Sequence, residues 1–141
     1  MNNQIINNVR NSIHKENISL SYRKLPFKAA TIEVDGIYGI FIDKKQTTNS
    51  DEEFSILAHE YGHCKSGATH KLYSPHDLIE KHEYMADRTA ILEFLPINKL
   101  QEAFSNGCQF IWQIANYLDM PDKFVSKAIE HYRHMELLPI Q

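Results

Sequence analysis

Apolar side chains recur at Ile5, Ile6, Val9 and Ile13 near the start of the chain. That spacing predicts a helix from about Asn3 to Lys15 with one apolar stripe. A short segment, Ile18–Tyr22, and a turn at Leu25-Pro26 come next. Ala30–Val34 and Ile37–Ile42 are then rich in β-branched and aromatic residues, and they flank Asp35-Gly36. Two such runs around Asp-Gly predict a hairpin, because both turn positions need positive φ. The run Lys44–Ser50 is polar and reads as a loop.

From Ser50 the rhythm becomes helical. Ser50 or Asp51 is placed to cap the start, and Glu53 follows Ser50 at capping-box spacing. Phe54, Leu57, Ala58, Tyr61 and Cys64 form an apolar stripe, and Gly67 is expected to end the helix. Gly67 to Pro75 reads as a loop holding His70 and Tyr73. A second long helix is expected from His76 or Asp77 to Phe94, ended before Pro96. Shorter helices are expected at Ile97–Ser105, Gln109–Leu118 and Asp122–Met135, punctuated by Asn106-Gly107 and Met120-Pro121. The outline is one α+β domain. An N-terminal helix (residues 1–17) leads into a small antiparallel sheet or hairpin (18–50). Two long helices (51–95) and a C-terminal helical subregion (96–141) follow.

Composition narrows the classes. The 141 residues suit a single domain, and 43% of them are hydrophobic, enough for a core. A net charge of −3 argues against a nucleic-acid face, which needs clustered positive charge. No run reaches the ~20 apolar residues of a membrane helix. The polar, Asn-rich N-terminus lacks the apolar core of a secretory signal. Two cysteines, Cys64 and Cys108, do not make a disulfide framework. A reduced, cytoplasmic protein is therefore expected. Five of the eight histidines fall between positions 59 and 82.

The residues that carry chemistry are His59-Glu60-Tyr61-Gly62-His63, an H-E-x-x-H sequence inside the first long helix. Spacing i, i+4 puts both imidazoles on one face, so they can share one tetrahedral Zn²⁺. Such an ion lowers the pKa of water toward ~7. Glu60 is then positioned to take the proton as water attacks a carbonyl, and to return it to the leaving amine. In isolation this five-residue pattern also arises by chance. A carboxylate third ligand would leave the fourth position open, as catalysis needs. Glu83 is the preferred candidate, with Glu80 and His82 as competitors. Asp87, one turn beyond Glu83, is placed to accept the N–H of a ligating histidine. The plainer alternative for Glu83 and Asp87 is an exposed charged face pairing with Lys81 or Arg88.

With these residues assembled, the chain resembles the ImmA/IrrE family of metallopeptidases, encoded by phages and mobile elements. The resemblance runs from about Ile18 onward. It rests on Gly36–Ile42, on Leu57-Ala58 with the H-E-x-x-H residues, on Glu83–Ala90, and on Leu95-Pro96. Ile114–Leu118 and Phe124–Tyr132 add to it. Family members often carry Asn where this chain has Asp87; either residue can orient a histidine. The resemblance implies a zincin-like domain with His59, His63 and Glu83 on zinc and Glu60 as base. It also implies a substrate class, helix-turn-helix repressors that control a mobile element or a stress response. No extra regulatory domain is expected in a chain of this length.

Weaker candidates remain. The group that stabilises the oxyanion is sought in His70 or Tyr73, with His76 and Tyr84 as further options. Cys64 lies beside His63, but its place on the apolar stripe makes it a buried structural thiol. Gln109–Tyr132 has a helix–turn–helix outline. Lys123, Lys127 and Arg133 are offset by Asp122, Glu130 and Glu136, so no DNA binding is expected. Phe110, Trp112, Tyr117, Phe124 and Tyr132 are expected in the core, or as a substrate-docking surface if exposed. The rival to a peptidase is a zinc-stabilised protein that captures a repressor without cutting it.

Overall fold

The computed structural model describes residues 3–67 and 76–138. Among the described residues, six helices and a three-stranded sheet make an α+β fold. Helix α1 (Asn3–Lys15) lays Ile6, Val9 and Ile13 into the core, as the apolar stripe predicts. It precedes β1 (Ser19–Tyr22), β2 (Ala29–Val34) and β3 (Ile37–Ile42). The hairpin forms where expected, with Asp35 and Gly36 at φ 53° and 80°. The sheet is not wholly antiparallel. Its order is β1-β3-β2, and β1 runs parallel to β3. The segment between β1 and β2 therefore crosses over, and the buried acceptor Asp43 pins it. That carboxylate receives N–H groups from Leu25 at 3.0 Å, Lys45 at 3.1 Å and the Gln46 amide at 3.0 Å. Those contacts, the Gln46 side chain above all, hold Asp43 below the usual carboxylate range. The polar run that reads as a loop thus contains a 3-10 turn, Lys44–Gln46.

Helix α2 (Ser50–Ser66) is capped by Asn49 rather than Ser50 or Asp51. The Asn49 side chain accepts the Glu52 N–H at 2.9 Å, from an extended backbone that Ser50 has already left. Glu53 makes no capping box because it turns inward. It accepts from Arg10 at 2.9 Å and from the Tyr22 hydroxyl at 2.8 Å, joining α1, β1 and α2. Phe54, Leu57, Ala58, Tyr61 and Cys64 are buried, and Gly67 ends the helix in the left-handed region at φ 69°.

Helix α3 (His76–Phe94) packs along α2, and α4 (Ile97–Ser105), α5 (Ile111–Leu118) and α6 (Asp122–His134) complete the core. α5 begins two residues later than expected. The Gln113 side chain folds back to accept the N–H groups of Gln109 and Phe110 at 2.7 and 3.1 Å, which stops the helix there. α6 stops one residue early, with Met135 as its cap. The five aromatics divide, contrary to a uniform core. Phe124 and Tyr132 are buried, whereas Phe110, Trp112 and Tyr117 are exposed, because Ile114 and Ala115 fill the inner face of α5. Among the described residues no helix is long and apolar enough to cross a membrane.

Candidate active site

Helices α2 and α3 meet with their backbones nearly touching. A Cβ on Gly62 would stand 2.0 Å from the Ala86 carbonyl oxygen, so only glycine permits this approach. Glycine normally weakens a helix interior by about 1 kcal/mol. Here it lets α3 present Glu83 and Asp87 to the imidazoles on α2.

The three expected ligands converge. His59 Nε2 lies 2.7 Å from one carboxylate oxygen of Glu83, and His63 Nε2 lies 3.0 Å from the other. The two Nε2 atoms are 3.1 Å apart. Donor atoms around one tetrahedral zinc, with bonds near 2.0–2.1 Å, stand about 3.3 Å from each other. Two imidazoles and a carboxylate at these separations therefore fit a zinc ion. Among the described residues this is the one such group, and neither competitor, Glu80 or His82, is part of it.

The hydrogen bonds around the cluster point the same way. His59 Nδ1 is 2.8 Å from Asp87 Oδ1, so its N–H goes to that carboxylate and Nε2 carries a lone pair. That lone pair faces a carboxylate and a second imidazole. Groups held this closely must share something between them, either a ring N–H or a cation. The Asp87 bond makes His59 more basic than an ordinary histidine despite burial, and the charges of Asp87, Glu83 and Glu60 add to the effect. Burial opposes ionisation of Asp87, but the His59 bond and the Lys127 ammonium at 3.2 Å outweigh it and keep the carboxyl low.

Glu60 stands beside this cluster and outside it. Its carboxylate accepts the Thr31 hydroxyl from β2, an edge strand of the sheet. Thr31 pairs with Ile40 across the hairpin and so shares its inward face. A cleft of about 480 Å³ opens between β2, α2, α3 and α6. His59, Glu60 and Asp87 line it, with Ala29 on one side and Phe124 and Lys127 on the other. Lys28 and Glu52, paired at 2.7 Å, form part of its rim.

The other candidates fare differently. His70 and Tyr73 lie outside the described residues, as does the side chain of His76. Tyr84 is half exposed and turns toward His131, with ring centroids 6.4 Å apart, rather than into the cleft. Cys64 is buried and lines no part of the cleft; burial pushes its thiol up to about 11. Three contributors escape a reading of the sequence: Thr31 on Glu60, Lys127 on Asp87, and Gly62 under Ala86. Only Gly62 leaves a trace there, as a glycine in the middle of a helical stripe.

No protein-family model matches this chain, and no curated protein or solved structure matches it either.

Proposed function

We propose that this protein is a zinc-dependent endopeptidase that cuts a protein substrate, with a helix-turn-helix repressor as the substrate class that its ImmA/IrrE resemblance implies. The observation that carries the proposal is the convergence of His59, His63 and Glu83 beside Glu60, with His59 and Glu60 on the wall of a cleft. His59, His63 and Glu83 would hold the ion. Bound there, zinc supplies Lewis acidity, polarising a peptide carbonyl and making water a better acid.

The chain's own residues do the rest. Glu60 takes a proton from water as the water oxygen attacks the carbonyl carbon. It then delivers that proton to the amide nitrogen, whose bond to carbon breaks to leave a free amine and a carboxylate. The Thr31 hydroxyl fixes one oxygen of Glu60, which lines the cleft. Asp87 holds His59 in the tautomer that offers Nε2, and Lys127 holds Asp87. Phe110, Ile111 and Trp112, all exposed, give a folded substrate an apolar place to rest outside the cleft.

The test is co-expression with the product of the adjacent gene, wild type against Glu60→Gln, followed by mass spectrometry of fragments. Glu60→Gln should keep its zinc and fold and lose cleavage by about 10²–10⁴-fold. Unchanged relief of repression by that variant would replace cutting with capture.

A further inference from the structure

A second groove, of about 420 Å³, adjoins the cleft and shares only Asp87 and Lys127 with it. Its walls are facing stripes of two helices: Tyr84, Arg88 and Ile91 on α3, and Glu130, His131 and His134 on α6. At steps of three and four these residues share one side of each helix. Arg88 enters no ion pair among the described residues. His131 is only 9% exposed, and its ring touches those of Tyr84 and Tyr132. Neither of its ring nitrogens has a hydrogen-bond partner among the described residues, although it lines open space. Its ring nitrogens are accessible from the groove and so are open to a ligand there.

The electrostatics of the groove say which partner. Arg88 and His134 line the groove with His131, and burial first, then their charges, push His131 below an ordinary histidine. Two carboxylates border it. Asp87 is already engaged by His59 and Lys127, and Glu130 is exposed and not paired with Arg88. A guanidinium fork beside two imidazole N–H groups matches a planar or tetrahedral oxoanion.

We infer that the α3–α6 groove binds an oxoanion, a phosphate or carboxylate group, through Arg88, His131 and His134, at a site distinct from the metal cluster. Its source is either a free phosphate or an acidic side chain of a protein bound across the neighbouring cleft. The test follows the imidazole proton resonances of His131 and His134 in the full chain, at constant pH and ionic strength. One arm titrates inorganic phosphate and the other N-acetylglutamate. At least one probe should shift both resonances saturably, without moving those of His59 and His63. Arg88→Gln and His134→Gln alter exposed residues, and each should weaken binding by roughly tenfold or more. Saturation by phosphate alone assigns a phosphate ligand; saturation by N-acetylglutamate alone assigns an acidic side chain. Shifts that do not saturate, or that survive both substitutions, overturn the site.

Discussion

Helix α2 carries two knots of polar side chains, and they are wired in opposite ways. Near its start, buried Glu53 receives N–H from Arg10 and O–H from Tyr22, so the acceptor faces donors and the positive charge is built in. Further along, His59 Nε2, His63 Nε2 and the Glu83 carboxylate bring three metal-binding groups together with no lysine or arginine among them. The first knot is complete with its own side chains and acts as a clasp for α1, β1 and α2. The second has no cation of its own and, on the proposed reading, takes one from outside. Buried charge alone does not mark a ligand site; what marks it is the charge left unanswered.

The largest expected effect comes from supplying that charge. At a thousandfold excess of zinc over its dissociation constant, the wild type should gain about 4 kcal/mol of stability. His63→Ala should abolish that gain. Glu53→Ala should lower the starting stability by about 2 kcal/mol, by stranding Arg10, yet keep the zinc response. Thermal melts with and without zinc make the comparison. A zinc response that disappears in Glu53→Ala and persists in His63→Ala would reverse the assignment of the two knots.

Gly62→Ala should come next. The added methyl has no space against the Ala86 carbonyl, so α3 must move away. Overpacking of this kind costs about 2 kcal/mol, and here it also carries Glu83 away from both imidazoles. Zinc affinity should therefore fall in a variant that leaves every ligand unchanged, as isothermal titration would show. Retained affinity would mean that the helices separate without disturbing the ligands.

Local pattern explains what was legible in the sequence. α1, the hairpin, α2 and α3 declare themselves through period, Asp35-Gly36 and a terminal Gly67, all of which act within a few residues. Helical spacing puts His59 with His63, and Glu83 with Asp87, on one face each, but it leaves Glu80 as a competitor that only the packing of α3 on α2 sets aside. What stayed hidden depends on partners distant in the chain. β1 joins β3 in parallel because Asp43 gathers the crossover, and Glu53 abandons its cap because Arg10 and Tyr22 lie across the fold. Thr31 meets Glu60, and Lys127 meets Asp87, only after the sheet and α6 have docked.

Asp87 tests how far the second knot depends on its support. It touches His59 and Lys127, and it is not one of the three ligand groups. Asp87→Ala frees the His59 ring and removes the acceptor that selects its tautomer. Zinc affinity should fall about 10–100-fold, while a matched loss of the Lys127 partner through Lys127→Ala should cost less. Competition against a chelator indicator separates the two; equal losses would assign the effect to charge rather than to orientation.

The smallest effect is a slope against pH, and it changes sign with the metal. Without zinc, His59 is more basic folded than unfolded, since Asp87 holds its charged form. Its contribution is complete below the unfolded value of about 6.5 and fades as pH rises through the folded value. Asp87 is more acidic folded than unfolded, so its contribution is present above about 3.9 and fades only as pH falls through the folded value. Metal-free protein should therefore exceed Asp87→Asn in stability most clearly near pH 5.5 and less at pH 8, by under about 1 kcal/mol for a partly exposed pair. With zinc the ion competes with the His59 proton for Nε2, so zinc-dependent stabilisation should grow over the same interval. Urea melts at the two pH values, with chelator and with zinc, should give opposite slopes. Parallel slopes would mean that no cation replaces the proton, and the second knot would be as self-contained as the first.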